Sequence, residues 1–118
     1  VLEESLVNRE AQPQLVLDDQ FISRIPKEFS LEQNYPNPFN PTTTIEFQLP
    51  LGSEVKLVIY TATGQKVRTL VDGDLAAGKH NVVWDAKDDS GARVASGVYF
   101  YKIVASNFAA RRKLVLMK

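Results

Sequence analysis

The sequence predicts an all-β fold, an antiparallel β-sandwich of the Ig-like or fibronectin-like kind with about seven strands, preceded by an extended N-terminal linker. Three observations predict this class. Apolar and polar residues alternate with a period of two in several short segments, turn-forming residues separate those segments, and no segment has helical periodicity. The chain has no cysteine, so the Cys–Trp–Cys hallmark of antibody domains is missing and only an Ig-like topology is expected.

Length and composition limit the number of domains and the kinds of site and partner that this chain can have. The 118 residues suffice for one domain and a tail. With 14 basic and 14 acidic residues the formal net charge is zero, so no overall attraction to nucleic acid or to an anionic membrane is expected. The lack of cysteine excludes disulfides, thiolate nucleophiles and Cys-ligated zinc. Because the chain does not begin with Met and shows no signal peptide, we expect a piece of a longer protein.

Residues 1–28 are expected to be a linker or the remnant of a preceding domain, and residues 29–118 the folded module. Acidic and amide residues are scattered through the first segment, and Pro13 and Pro26 interrupt it. Within "QLVLDDQFI", only residues 15–17 are typical of a short strand.

The first two clear strands alternate regularly. The segments "TTIEFQL" and "EVKLVIY" each place three apolar side chains on one face, and the turn "LPLGS" joins them. The residues expected to face the core are Ile45, Phe47 and Leu49 in the first strand and Val55, Leu57 and Ile59 in the second.

The middle of the chain is less regular. A turn around Gly64 leads into a short strand, "KVRTLV", and "DGDLAAGKH" is expected to be a loop closed by Gly78. The strand "HNVVWD" follows, with His80, Val82 and Trp84 on one face and Val83 on the other.

Two further strands end the pattern. After the polar turn "DDSGAR", the longest strand is "GVYFYKIVA", and "RRKLVLMK" follows an "SN" turn. The residues expected to face the core are Tyr99, Tyr101 and Ile103 in the first of these strands and Leu114 and Leu116 in the second.

A proline-rich segment, here called the strap, precedes the first clear strand. It comprises Asn34, Tyr35, Pro36, Asn37, Pro38, Phe39, Asn40 and Pro41. Its three prolines fix φ and remove backbone donors, which excludes a helix and a central strand. Tyr35 and Phe39 are its only large apolar side chains, so we expect both to plug one end of the sandwich and to anchor the linker to the module.

No catalytic set is apparent. The single histidine, His80, is expected to pack its ring at a strand edge and to bond a loop carbonyl. Asp85, Asp88 and Asp89 in "WDAKDDSG" are weak candidates for a calcium loop. Turn chemistry explains them better, because Asp and Ser side chains bond nearby backbone and Gly91 supplies a positive φ.

Two possible binding surfaces have equally plain structural explanations. Trp84, Tyr99 and Tyr101 could form a sugar-binding face, but alternation places them in the core, which leaves Phe100 and Tyr60 as exposed candidates. The basic residues Arg111, Arg112, Lys113 and Lys118 could bind a partner or could protect a terminal edge strand from pairing. The PxxP pattern from Pro38 to Pro41 is a weak match to a polyproline ligand.

Together these motifs resemble a known family. The run "LEQNYPNPFNPTTTIEFQLP", "VKLVIYTATGQKVRTL", "LAAGKHNVVWDAKDDSGARVASGVYFYKI" and "KLVLMK" resembles the type A C-terminal sorting domain of type IX secretion cargo. It is also similar to the Ig-like domain of flagellar hook-assembly proteins, which shares the middle and end of the pattern. The resemblance covers residues 29–118. Ala86 stands where the family often has glycine, a change expected to matter little.

The resemblance implies a non-catalytic address label on a larger exported protein. Such cargo crosses the inner membrane by an upstream signal, is read by the type IX machinery at the outer membrane, and is often cleaved by a sortase-like peptidase. The cargo is then secreted or held at the cell surface of a Gram-negative bacterium. The family's Gly-x-Tyr motif falls on Gly97 and Tyr99, and its terminal motif on Lys113, Leu114, Val115, Leu116 and Lys118. No cofactor and no nucleic acid partner are implied.

Two alternatives remain open at the level of sequence. The module could be a structural Ig-like spacer, which would not need to end its protein as a sorting domain must. It could also be a carbohydrate-binding accessory module, which would need an exposed aromatic platform.

Overall fold

The computed structural model describes residues 25–117, and every regular element in this part is a β-strand. The strands are β1 (Ser30–Leu31), β2 (Thr43–Leu49), β3 (Ser53–Thr61), β4 (Lys66–Leu75), β5 (Gly78–Trp84), β6 (Gly97–Ala105) and β7 (Phe108–Leu116). They form a three-stranded sheet in the order β1-β2-β5 and a four-stranded sheet in the order β4-β3-β6-β7. All neighbouring strands are antiparallel, which confirms the predicted Ig-like sandwich. The expected strand at residues 15–17 lies outside the described residues.

The core lies between the two sheets and follows the alternation of the sequence. Every predicted core residue of β2, β3, β6 and β7 is buried. In β5 the side chains of His80 and Val82 are half-buried, Trp84 is fully buried and Val83 is exposed, as the pattern predicts. The largest fully buried side chains include Trp84, Tyr101 and Phe39, so aromatic rings fill much of the space between the sheets.

One strand is longer than the sequence predicts. The prediction ended β4 before Asp72, but the strand continues to Leu75 because it pairs with β3 along its whole length, with Glu54 opposite Asp74 and Ser53 opposite Leu75. Asp and Gly have low strand propensity, yet tertiary pairing with a well-formed neighbour overrides that preference. The expected loop is therefore only a short connection before Gly78.

The turn after β5 contains an unusual alanine. Ala86 has a φ of +63°, which is in the left-handed region where glycine is favoured. An L-residue there costs roughly 1 kcal/mol, but the methyl group of Ala86 is buried, and burying one such group contributes about 0.8 kcal/mol. The two contributions oppose each other, which gives a physical reason for the small effect expected from the sequence.

Candidate recognition site on the terminal strand

Within residues 25–117, the terminal strand β7 forms one edge of the four-stranded sheet and pairs there with β6 alone. Leu114 and Leu116 point inward and are buried, whereas Lys113 is exposed and Val115 is half-buried on the outer face. Lys118, the last residue of the predicted motif, lies outside the described residues. The described part of the motif therefore combines an inner apolar row with an outer face that carries a positive charge.

The strap lies along the second half of β7, on the side of the strand that faces away from β6. The Phe39 N–H donates to the Val115 carbonyl (3.0 Å), and the Met117 N–H donates to the Phe39 carbonyl (3.0 Å). The Val115 N–H donates to Asn37 Oδ1 (3.0 Å), and Gln33 Nε2 donates to the Lys113 carbonyl (2.7 Å). Four main-chain groups that an added strand would use are thus already bonded: the carbonyls of Lys113 and Val115 and the N–H groups of Val115 and Met117.

Of the two aromatic residues of the strap, Phe39 is buried in the core and Tyr35 is exposed. Phe39 is 2% exposed and its ring centroid lies 5.6 Å from that of Trp84, as the sequence predicted. The prediction for Tyr35 is wrong, because its side chain is 81% exposed. Tyr35 forms an antiparallel bridge with Thr44, and residues opposite each other in such a bridge share a face. Thr43 points into the core, so Thr44 and Tyr35 point outward.

The inward residue at the start of the strap is Asn34, which sequence analysis did not single out as a core residue. Its N–H donates to the Tyr101 hydroxyl (2.9 Å), and that hydroxyl donates to the Glu32 carbonyl (2.6 Å). Asn34 Nδ2 donates to Thr43 Oγ1 (2.9 Å) and to the Pro36 carbonyl (3.1 Å). Burial raises the pKa of the Tyr101 hydroxyl to about 12. This network, the Asn34–Tyr101 clasp, ties the strap to the four-stranded sheet.

The Gly-x-Tyr motif sits at the start of β6 and has a structural role. Gly97 has a φ of +149°, which other residues rarely adopt. The Tyr99 hydroxyl donates to the Ala95 carbonyl (2.5 Å), and its ring meets the edge of Trp84 with the centroids 5.6 Å apart. Burial raises the pKa of Tyr99. The Tyr99 contact resembles the tyrosine corner of Ig-like sandwiches, in which a hydroxyl bonds to backbone a few residues upstream.

The three acidic residues after β5 have separate partners: Asp85 and Asp88 bond to nearby turn backbone, whereas Asp89 bonds to strand β4. Asp85 Oδ1 accepts from Arg68 (3.1 Å) and from the Lys87 N–H (3.2 Å). Asp89 Oδ1 accepts from the Thr69 N–H (3.1 Å). Asp88 Oδ1 accepts from the Ser90 hydroxyl (2.6 Å) and from two backbone N–H groups, and these hydrogen bonds, the one from Ser90 foremost, lower its pKa. Among residues 25–117 no group of three or more His, Asp or Glu side chains is arranged to hold a metal ion.

The single histidine behaves as the sequence predicted. The His80 ring stacks on Phe47 with centroids 5.3 Å apart, and its Nε2 lies 2.8 Å from the Ala76 carbonyl. Nε2 therefore carries the proton, because a carbonyl oxygen only accepts.

The basic residues of β7 do not form one patch. Arg112 Nε donates to the Leu31 carbonyl (2.6 Å), so this side chain links the edges of the two sheets. Arg111 lies on the outer face, with its guanidinium carbon 5.5 Å from the centroid of the Phe100 ring. Lys113 lies on the same outer face, opposite Phe100. The outer-face residues Arg111 and Lys113 can meet a partner, whereas Arg112 is engaged within the module.

Most of the side chains considered for the other candidate surfaces are buried in the core. Trp84, Tyr99 and Tyr101 are buried, so they form no sugar-binding platform. Tyr60 and Phe100 are half-buried and opposite each other on the outer face. The PxxP segment has Phe39 buried at its centre, with both backbone groups bonded to β7. In the described part of the chain, no helix is long and apolar enough to cross a membrane.

Comparisons with known proteins agree with this architecture. A family model described as the FlgD Ig-like domain matches residues 35–108. The basal-body rod modification protein FlgD of Salmonella typhimurium is 41% identical over 63 residues, which are 53% of this chain and 27% of that protein. The chain thus matches only about a quarter of this curated relative.

Two solved structures from Porphyromonas gingivalis share the fold. Dimeric latent PorU has a TM-score of 0.61 at 17% identity, over 78% of this chain and 10% of that chain. PorZ, described as an essential bacterial surface component of the type-IX secretion system, has a TM-score of 0.51 at 22% identity, over 76% of this chain and 11% of that chain. Both likenesses are evidence of fold alone. The family model, in contrast, matches more than half of the sequence, and the chain therefore belongs to the FlgD Ig-like domain family.

Proposed function

We propose that this Ig-like module is a non-catalytic C-terminal sorting domain, which directs a larger cargo protein across the outer membrane through the type IX secretion system. Its partners would be the outer-membrane machinery, a sortase-like peptidase and an upstream cargo domain on the same chain. The cargo would pass through the periplasm of a Gram-negative bacterium and end at the cell surface or in the medium. No cofactor and no nucleic acid take part.

The observation that carries the proposal is the arrangement of the terminal motif on β7. The motif lies on an edge strand, its Leu114 and Leu116 side chains hold the strand in the core, and its Lys113 and Val115 side chains face outward. A receptor can therefore read the outer side chains without unfolding the module. The resemblance of the ordered sequence motifs to type IX cargo supports the same function, and PorZ, a component of that system, has the same fold.

A second candidate has its own specific support. The family match and the 41% identity to FlgD favour a structural Ig-like module of the kind found in a basal-body rod modification protein. In that case the outward residues of β7 would have no role in export. A carbohydrate-binding module has less support, because Trp84, Tyr99 and Tyr101 are buried and the outer-face pair Tyr60 and Phe100 is half-buried.

Export of a reporter tests the proposal directly. A reporter with an inner-membrane export signal, fused ahead of the whole chain, should reach the surface or medium in a host with a compatible type IX system. Lys113→Glu combined with Lys118→Glu should leave it in the periplasm. Lys113 is exposed, and surface charge changes usually alter stability by less than about 0.5 kcal/mol, so the fold should persist.

A matched control separates recognition from general charge effects. Lys56→Glu makes the same kind of charge reversal on an exposed residue of β3, away from β7, and should export normally. Normal export of a folded Lys113→Glu, Lys118→Glu variant would refute recognition of the terminal charges. Failure of the unaltered fusion in several such hosts would favour the structural module instead.

A further inference from the structure

The outer face of the four-stranded sheet is divided by charge. At one end a cross-strand pair of aromatic residues, Tyr60 and Phe100, is surrounded by basic residues on strands β4, β6 and β7. These basic residues are Lys66 opposite Tyr60, Lys113 opposite Phe100, and Lys102 opposite Arg111. At the other end lie Glu54, Asp72 and Asp74. Because the whole chain is formally neutral, the basic end is a local concentration of charge.

A groove of about 340 Å³ crosses the basic end of this face. Its walls include the rings of Tyr60 and Phe100 and the side chains of Lys102 and Arg111, and the turn between β3 and β4 closes one end. No acidic side chain lines it. Its volume is at the lower limit of ordinary ligand sites, which suits one or two side chains of a partner rather than a large ligand.

The groove lies beside a stretch of the β7 edge that has no strand partner among residues 25–117. The main-chain groups of Lys113 and Val115 point away from β6 and meet Gln33, Asn37 and Phe39. In an antiparallel strand every second residue points its N–H and C=O to the same side, so those of Arg111 and Ala109 also point away from β6. In the described range 25–117, no strand pairs with this side of β7 and no strap residue bonds to it at these two positions.

We propose that this open edge and the adjacent groove bind an extended acidic segment of a partner protein. The segment adds as a strand beside Ala109 and Arg111, and a carboxylate side chain of that strand enters the groove between Lys102 and Arg111. Strand addition supplies main-chain hydrogen bonds, and the groove supplies specificity for acidic side chains. The residues that line the groove lie outside the terminal motif, although Lys113 belongs to the same basic end of the sheet, and the site does not depend on the export function proposed above.

The chemistry favours a peptide over other polyanions. The backbone of Ala109 and Arg111 offers both donors and acceptors, which a peptide strand can match and a phosphate polymer cannot. The acidic end of the same face, with Glu54 and Asp72, would repel a long polyanion that continued along the sheet. A short segment with a few carboxylates placed opposite the groove avoids that repulsion.

A peptide titration of the full chain tests the site. The probe is a short, end-blocked peptide of alternating valine and aspartate, and the matched control peptide has asparagine in place of aspartate. Amide NMR should show the acidic peptide shifting the signals of Phe100, Lys102 and Arg111, and hydrogen exchange at Ala109 and Arg111 should slow. Equal binding of the asparagine peptide, or no binding of either, would overturn the proposal.

Charge-reversal variants locate the site on the sheet. Arg111→Glu and Lys102→Glu should each weaken binding of the acidic peptide about tenfold or more, a loss of ~1.4 kcal/mol. The matched variant Lys56→Glu, on the same face but outside the groove, should change it by less than about twofold. Two variants are used so that misfolding of one, detected by its melting temperature, leaves the other as the test. Unchanged binding in both would overturn the proposal.

Two other occupants have distinct signatures. If short oligothymidine binds as tightly as the peptide and shifts the same signals, the groove is a general polyanion site and the proposal is wrong. If exchange at Ala109 and Arg111 slows with protein concentration alone, a second copy of the chain covers the edge, which also overturns the proposal.

Discussion

Replacing Tyr101 with phenylalanine should destabilise the module by about 1–3 kcal/mol. The Tyr101 ring is fully buried and would stay in place, so the change isolates the hydroxyl of the Asn34–Tyr101 clasp. That hydroxyl accepts from the Asn34 N–H and donates to the Glu32 carbonyl. Asn34 is 2% exposed, so its N–H would be left buried without a partner, which costs roughly 1–3 kcal/mol. Glu32 is exposed, and its carbonyl can bond to water instead.

The same hydroxyl predicts a dependence on alkaline pH. Burial raises the pKa of Tyr101 from 10.0 to about 12, so the folded state holds the proton more tightly than the unfolded state. The contribution is fully present below pH 10 and is lost as the pH rises towards 12 and beyond. The parent protein therefore loses stability over this pH range. The phenylalanine variant lacks this loss.

Urea unfolding followed by the fluorescence of Trp84, the only tryptophan, measures both effects. The stability difference between parent and Tyr101→Phe should be largest near neutral pH and should shrink above pH 10. Tyr60→Phe is the matched control, since Tyr60 lies on the outer face of the neighbouring strand and should change stability by less than about 0.5 kcal/mol. A Tyr101→Phe variant as stable as Tyr60→Phe, with the same alkaline profile, would refute the clasp.

Four more predictions follow from the core, the strap and the turns. Trp84→Ala should cost about 3–5 kcal/mol in urea unfolding, because it empties a fully buried site; near-parental stability would mean that the ring is exposed in solution. Phe39→Ala should cost a comparable amount, whereas Tyr35→Ala should cost less than about 0.5 kcal/mol, because only Phe39 is buried; equal effects would contradict the strap geometry. Gly97→Ala should cost about 1–3 kcal/mol at its positive φ, and no change would show that β6 begins differently. Thermal unfolding should have the same midpoint in calcium and in chelator, and a marked rise with calcium would revive the metal loop.

Alternation predicted the faces of the strands well, because a period of two leaves only two choices and burial decides between them. In β3, for example, Val55, Leu57 and Ile59 share the inward face, and the charged residues Glu54 and Lys56 fall on the other face. The end of β4 was harder to predict, since residues such as Asp72 and Gly73 have turn propensity and are held in a strand only by their partners on β3. That information lies in another part of the chain, not in the local sequence.

The strap shows why size and polarity alone mislead outside a regular strand. Tyr35 was expected to be buried because it is large and aromatic, and Asn34 attracted no such expectation because it is polar. Because Tyr35 forms a bridge with Thr44, Tyr35 is exposed and the neighbouring Asn34 is buried, the opposite of what size and polarity suggest. Asn34 is tolerated in the core because its backbone and side chain are bonded to Tyr101, Thr43 and Pro36, and a buried polar group with partners is not costly. The burial of Asn34 follows from the register of the strap against β2, which the local sequence does not reveal.

The position of the strap limits how a receptor can read the terminal motif. To pair with the backbone of residues 113–117, an added strand would have to displace Phe39 and break its hydrogen bonds to Val115 and Met117, together with the Asn37–Val115 bond. Exposing Phe39 costs about 2 kcal/mol, and the three bonds contribute about 1 kcal/mol each. A loss of about 5 kcal/mol would be a large part of the stability of a typical domain, 5–15 kcal/mol. Strand addition at this half of β7 is therefore disfavoured. Among residues 25–117, the features that a partner meets without that cost are the outward side chains of Lys113 and Val115 and the edge at Ala109 and Arg111.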